Sequence, residues 1–238
     1  MAEGKKSPLV TIAIGVTITV LFALILYFLG ILPSGQPAQN VDSDMKAEVI
    51  PSDLEAVEYY NLGFSKYQAS EFNDAILYFS EAISDSSNYA EAYSMRGICK
   101  RQLKDYEGAI KDYSTAIDMS PYSTGYYNNR AAARYFLGDY EGVIKDCTKS
   151  IELKPDNAFP YNNRGAAYAQ LKDYEKSNAD FSKTVELEPE YGDAWNGLGL
   201  NSYDLGDYEN ACKYWENGMR IGHDYSKEMW EKYCSEEE

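Results

Sequence analysis

Residue types able to do chemistry are few in this 238-residue chain, and the ones that recur are not catalytic types. A single histidine, His223, argues against a histidine-based metal site or a serine triad. Cys99, Cys147, Cys212 and Cys234 form no C-x-x-C and no cluster with metal-ligand spacing. No activated nucleophile, paired carboxylates or glycine-rich phosphate loop stands out, so neither an enzyme nor a cofactor is expected. Asparagine recurs instead, as Asn128, Asn162 and Asn196 at intervals of 34 residues, with Asn129 and Asn163 beside the first two. An amide offers a donor and an acceptor, so a row of them can hydrogen-bond an extended peptide main chain without reading its side chains. The alternative is that asparagine merely fits a crowded helix face. Arg96, Arg130 and Arg164 recur too, each with an aspartate sixteen residues on: Asp112, Asp146 and Asp180. Where the arginine is replaced by Leu62 or Leu198, the aspartate is replaced by Tyr78 or Tyr214. This co-occurrence predicts an ion pair rather than a row of ligand-gripping arginines.

The 34-residue interval organises the chain. Counting from Ala56, Ala90, Thr124, Ala158 and Gly192, the fourth position is aromatic five times: Tyr59, Tyr93, Tyr127, Tyr161 and Trp195. The eighth is tiny: Gly63, Gly97, Ala131, Gly165 and Gly199. The seventeenth is aromatic again, the twentieth small in most copies, and the thirty-second is proline three times: Pro121, Pro155 and Pro189. Two antiparallel helices approach closely only where side chains are small, and aromatics fill the wedges between helix pairs. The turn Gly138-Asp139 or Gly206-Asp207 ends one helix in a left-handed glycine and caps the next with aspartate. Lys104-Asp105 and Lys172-Asp173 keep the aspartate and lose the glycine.

On these columns the chain resembles the tetratricopeptide-repeat family. The resemblance implies an all-α, right-handed superhelix of five hairpins at 56–89, 90–123, 124–157, 158–191 and 192–225, within a domain of residues 53–225. It departs from the family at Lys66, Lys100 and Arg134, where an aromatic is usual, and at Ser87, where proline is usual. Residues 226–238 are expected to be a capping helix, covering the fifth hairpin with Met229 and Trp230, and an acidic tail.

The resemblance also implies that ligands bind on a concave wall formed by each hairpin's first helix, at positions two, five, six, nine, twelve and thirteen. There lie Tyr60, Phe64, Tyr67, Asn128, Asn129, Tyr135, Phe136, Phe159, Asn162, Asn163, Asn196 and Tyr203, the predicted partner-binding set. The lysines and arginine of the family's carboxylate clamp are absent from their positions, which disfavours an adaptor for chaperone tails. The C-terminal run from Ala211 to Cys234 resembles the ending of many bacterial members. Its helices, packed side by side, suggest a Cys212–Cys234 disulfide; two ordinary packed thiols are the alternative. Cys147 takes a core position as a buried thiol, and His223 is expected to be a plain surface residue.

What must position this wall in the cell lies upstream. Residues 9–32 carry no charge, and 24 helical residues span ~36 Å against a hydrocarbon core of ~30 Å. No Ala-x-Ala follows, which favours an uncleaved anchor over a signal peptide. Residues 1–8 carry Lys5 and Lys6 and are expected on the cytoplasmic side. Residues 33–52 form a flexible linker, and the repeats then face the extracytoplasmic space, a bacterial periplasm or cell surface. An import-receptor-like or assembly-cochaperone protein with cytosolic repeats is the alternative. The chain's net charge is −16; leaving out Lys5, Lys6 and Glu3, it is −17 beyond the span. Such a surface excludes nucleic acid and favours basic or neutral protein partners. The sequence thus predicts a membrane-anchored protein-interaction scaffold.

Overall fold

The computed structural model describes residues 54–235; the predicted span at 9–32, the linker at 33–52 and the last three residues lie outside them. Within these limits the chain is all α, with no strand and no helix long and apolar enough to cross a membrane. Five hairpins follow one another: α1 (Leu54–Gln68) with α2 (Phe72–Asp85), α3 (Ala90–Gln102) with α4 (Tyr106–Met119), and α5 (Thr124–Phe136) with α6 (Tyr140–Leu153). Then come α7 (Ala158–Gln170) with α8 (Tyr174–Leu187), α9 (Gly192–Asp204) with α10 (Tyr208–Arg220), and a last helix, α11 (Asp224–Tyr233). Four hairpins begin on the expected residue; α1 begins two residues early.

One turn is used six times. The residue after each first helix's C-cap, and after that of α10, has positive φ: Ser70, Lys104, Gly138, Lys172, Gly206 and Gly222. The N–H one residue further on reaches back to a carbonyl five residues earlier, as Asp105 does to Lys100 and His223 to Gly218. Asp105, Asp139, Asp173 and Asp207 then accept the backbone N–H of Gly108, Gly142, Lys176 and Asn210, starting α4, α6, α8 and α10. The aspartates are as expected. Holding the same left-handed turn on lysine at 104 and 172 is not.

The tiny eighth position works as predicted. A Cβ added at Gly97 would lie 2.8 Å from the Tyr113 ring, and one at Gly63 2.9 Å from Phe79. In the third hairpin Ala131 replaces glycine because Cys147 replaces the facing aromatic, and the two share one buried cluster. Burial pushes the Cys147 thiol well above its ordinary range, which leaves it unreactive.

Arg96, Arg130 and Arg164 form the expected pairs. Each grips both oxygens of its aspartate, Arg130 at 2.9 and 2.7 Å from Asp146. Each also reaches into the preceding hairpin, donating to Ser80, Ser114 or Thr148 at 3.0–3.1 Å. The pair is therefore a joint between hairpins as well as within one. Lys100 and Arg134, the departures from the family pattern, add a second cation to Asp112 and Asp146. Lys66, whose hairpin lacks the aspartate, pairs with Glu71.

The recurring prolines have a second role at three joints. Tyr127, Tyr161 and Trp195 donate to the carbonyls of Pro121, Pro155 and Pro189 at 3.1, 3.2 and 2.8 Å. Sequence columns showed both residue types but not this bond.

The C-terminal end is closed by α11. Met229 is buried on Trp215, and Trp230 packs beside it. Cys212 and Cys234 form the disulfide, tying α10 to the end of α11. His223 is not a plain surface residue: its Nδ1 accepts the Ser226 N–H, the role aspartate has in the other turns, and its Nε2 contacts Asp193.

Candidate functional site

Each first helix touches the first helix of the next hairpin, whereas no second helix touches the next second helix. The stack is therefore tighter on the side of α1, α3, α5, α7 and α9, and these line its inner wall. At about 100° per residue, position eight faces the helix partner and position seven the preceding hairpin. Positions two, five, six, nine, twelve and thirteen are left to face inward.

The predicted residues divide into three groups on this wall. Asn128, Asn129, Asn162, Asn163 and Asn196 come together on α5, α7 and α9, as expected. Their exposure is low for an open binding wall, however. Asn128 is only 3% exposed, and the others are half-buried. Both amide atoms of Asn128, Oδ1 of Asn162 and Asn196, and Nδ2 of Asn163 are shielded and make no hydrogen bond. Native folds rarely leave such groups unpaired, since each costs about 1–3 kcal/mol.

A second group is occupied in packing. Tyr60 lies 5.5 Å from Phe79 and 5.1 Å from Tyr89, Phe64 lies against Tyr67, and Tyr67 against Phe72. All three join the cluster around Met95, Ile98 and Tyr113. Burial pushes the Tyr60 phenol up to about 12. Tyr203 is held among Tyr208, Trp215 and Tyr233, under the C-terminal cap.

The third group remains available. Phe136 is 60% exposed, stacked on Tyr106 with ring centroids 4.9 Å apart; Tyr135, edge-on to it, is itself packed on Tyr140. Phe159 is half-buried at the start of α7. Asn201 is a residue that sequence reasoning missed. It is buried, and its Nδ2 bonds Ser177 and Asn178 across the last joint, where an arginine bridge is lacking. Its only signal was a polar residue at a column otherwise filled by small or apolar ones.

Among the described residues no group of histidine, cysteine or carboxylate side chains could hold a metal ion. The wall offers amides, aromatic rings and few charges, a chemistry of hydrogen bonding and packing.

Comparison with known proteins agrees with this geometry. Tetratricopeptide-repeat family models match residues 60–124, 124–157 and 147–177. A search of curated proteins finds no match. Among solved structures, MamA from Desulfovibrio magneticus RS-1 is similar over 73% of this chain and 98% of its own, at 20% identity and a TM-score of 0.69. YrrB, described as a TPR protein with an unusual peptide-binding site, is similar over 74% of this chain and 91% of its own, at 17% identity and a TM-score of 0.63. TTC0263 of Thermus thermophilus, a thermophilic TPR protein, is similar over 75% of this chain and 98% of its own, at 16% identity and a TM-score of 0.60. Residues 60–177 are thus tetratricopeptide repeats, and five hairpins among the described residues stand in the same register.

Proposed function

We propose that the chain is a membrane-tethered scaffold whose inner wall binds an extended peptide of a protein partner through the amides of α5, α7 and α9. The observation that carries this reading is the set of unpaired amide atoms on Asn128, Asn162, Asn163 and Asn196. A peptide main chain supplies one N–H and one C=O per residue, which is what those atoms lack. The peptide-binding description of YrrB, a structural relative, supports the same use of the fold.

The tether is the uncharged segment 9–32, followed by the linker 33–52. The Cys212–Cys234 disulfide supports an extracytoplasmic domain, because such bonds persist in oxidising compartments. Protease protection in spheroplasts, with the outer barrier removed, tests this orientation, and a protected, cytosolic domain would reverse it.

The binding role is tested by crosslinking pull-down with the full chain, wild type against Asn128, Asn162 and Asn196 all changed to alanine. Circular dichroism establishes that the variant folds. Loss of the crosslinked partners in the variant is expected; equal recovery means the inner wall is not the site.

A further inference from the structure

Arg101 stands apart from every other arginine of this chain. Arg96, Arg130, Arg134, Arg164 and Arg220 each have a carboxylate partner within the described residues, and Arg101 has none. Its Nε is shielded and makes no hydrogen bond. Beside it lies the shielded Tyr113 phenol, whose oxygen can accept from the guanidinium. Burial pushes that phenol up, while Arg101 draws it back down. Arg101 is thus set against a phenol and not against a carboxylate. In a chain with 38 acidic and 22 basic residues, an arginine lacking a carboxylate is not explained by scarcity of partners.

Packing does not account for it either. At the same position the first, third and fifth hairpins have Tyr67, Tyr135 and Tyr203, each against the aromatic that opens its second helix, and the fourth has Ala169. The other charges at inward positions are Glu91, Asp193 and Asp204, and the two aspartates are engaged by His223 and the Tyr174 hydroxyl. The neighbouring inward positions of α5 are Gly125 and Ala132, which add almost no bulk.

Resting on the inner-wall reading above, we propose that Arg101 selects a carboxylate on the bound peptide, placed over the second and third hairpins. A guanidinium offers a fork of N–H donors matched to a carboxylate, which is acceptor-only. The acidic exterior opposes peptides with many carboxylates, so the ligand is near neutral with one acidic group at a fixed register. An acidic side chain and a free C-terminus share this chemistry.

The test is a selection of random dodecapeptides, displayed with a blocked C-terminus, on the full chain in detergent micelles. A parallel library with a free C-terminus distinguishes the terminal carboxylate from the side chain. Recovered peptides should share one acidic position, or require the free terminus. Arg101→Gln should weaken the best peptide about tenfold and abolish its advantage over the same peptide with that carboxylate amidated. Asn162→Ala should weaken both forms equally. Peptides that need Asn162 but bind Arg101→Gln as tightly as wild type overturn the role of Arg101 and leave the inner wall standing. Peptides indifferent to both changes, or no peptides at all, overturn the inner-wall reading and this inference with it.

Discussion

Arg130 and Asp146 meet side-on across the third hairpin, two N–H groups on two oxygens, with the aspartate 1% exposed and the arginine's third contact on Ser114 of the hairpin before. Removing one member of a buried pair strands the other, which costs more than losing both. Arg130→Leu is expected to lower stability by about 3 kcal/mol, the low end for such pairs because Arg134 still reaches Asp146. Urea denaturation of Arg130→Leu, Asp146→Leu and the double variant checks this. The double variant should be more stable than the sum of the singles, and simple additivity rejects the coupling.

The close approach at position eight gives a ranking. Gly97→Ala would put a methyl 2.8 Å from a fully buried Tyr113, and overpacking of this kind costs about 1–3 kcal/mol. At Gly165 the nearest ring atoms of Phe181 are 3.1 Å away, and alanine's helix preference of about 1 kcal/mol offsets the smaller clash. Gly97→Ala should therefore melt clearly lower than wild type and Gly165→Ala close to it. The reverse order would contradict the packing described.

Lys104 and Lys172 occupy a left-handed backbone that costs a side-chain-bearing residue about 1–2 kcal/mol relative to glycine. Glycine also gains freedom in the unfolded chain, which takes back about 0.4–1 kcal/mol. Lys104→Gly and Lys172→Gly should each raise the urea midpoint modestly, and Gly138→Ala should lower it.

Oxidation of the C-terminal pair can be counted directly. Denatured, unreduced protein should show two thiols, from Cys99 and Cys147, rising to four on reduction. Replacing Cys212 and Cys234 by serine should cost about 3 kcal/mol for a loop of this length, seen as earlier unfolding of the last hairpin in hydrogen exchange. Four thiols before reduction would rule the bond out.

Acid should loosen the second helices at their starts. Hydrogen bonds from Asn210 hold the Asp207 carboxyl below its ordinary value, and bonds from Lys176 do the same for Asp173. A depressed folded value stabilises above the unfolded one, near 3.9, and that contribution disappears as pH falls through the folded value. Asp207→Asn should therefore flatten the decline of stability below pH 4. An unchanged slope would separate the cap from acid sensitivity.

The parts legible in the sequence were those that repeat. Glycine facing an aromatic, arginine with aspartate sixteen residues later, and aspartate after the turn each recur, so a local rule could be recognised in several copies. Single departures were harder. His223 as a helix cap became visible only because the α10–α11 turn copies the backbone of the earlier five turns, with histidine where aspartate usually stands. The Asn128 amide was expected at the surface because position five alone does not say how closely the neighbouring inner helix packs. Tyr60, Phe64 and Tyr67 were legible as aromatics on an inward face, but whether such rings serve a ligand or one another depends on distances between hairpins. The bonds from Tyr127, Tyr161 and Trp195 to proline carbonyls join residues across a repeat boundary, and column-by-column comparison does not couple them.

The arginine joints make the middle hairpins interchangeable parts. Each of the second, third and fourth presents an arginine toward the hairpin before it, and the first three present Ser80, Ser114 and Thr148 toward the hairpin after. The first and fifth hairpins are terminal pieces, with Leu62 and Leu198 in place of the arginine, and the fifth is locked to its cap by a covalent bond. A duplication in the gene that copies a middle hairpin therefore carries its own connectors with it. The array can lengthen from within, adding inner wall one hairpin at a time, without any change to its ends.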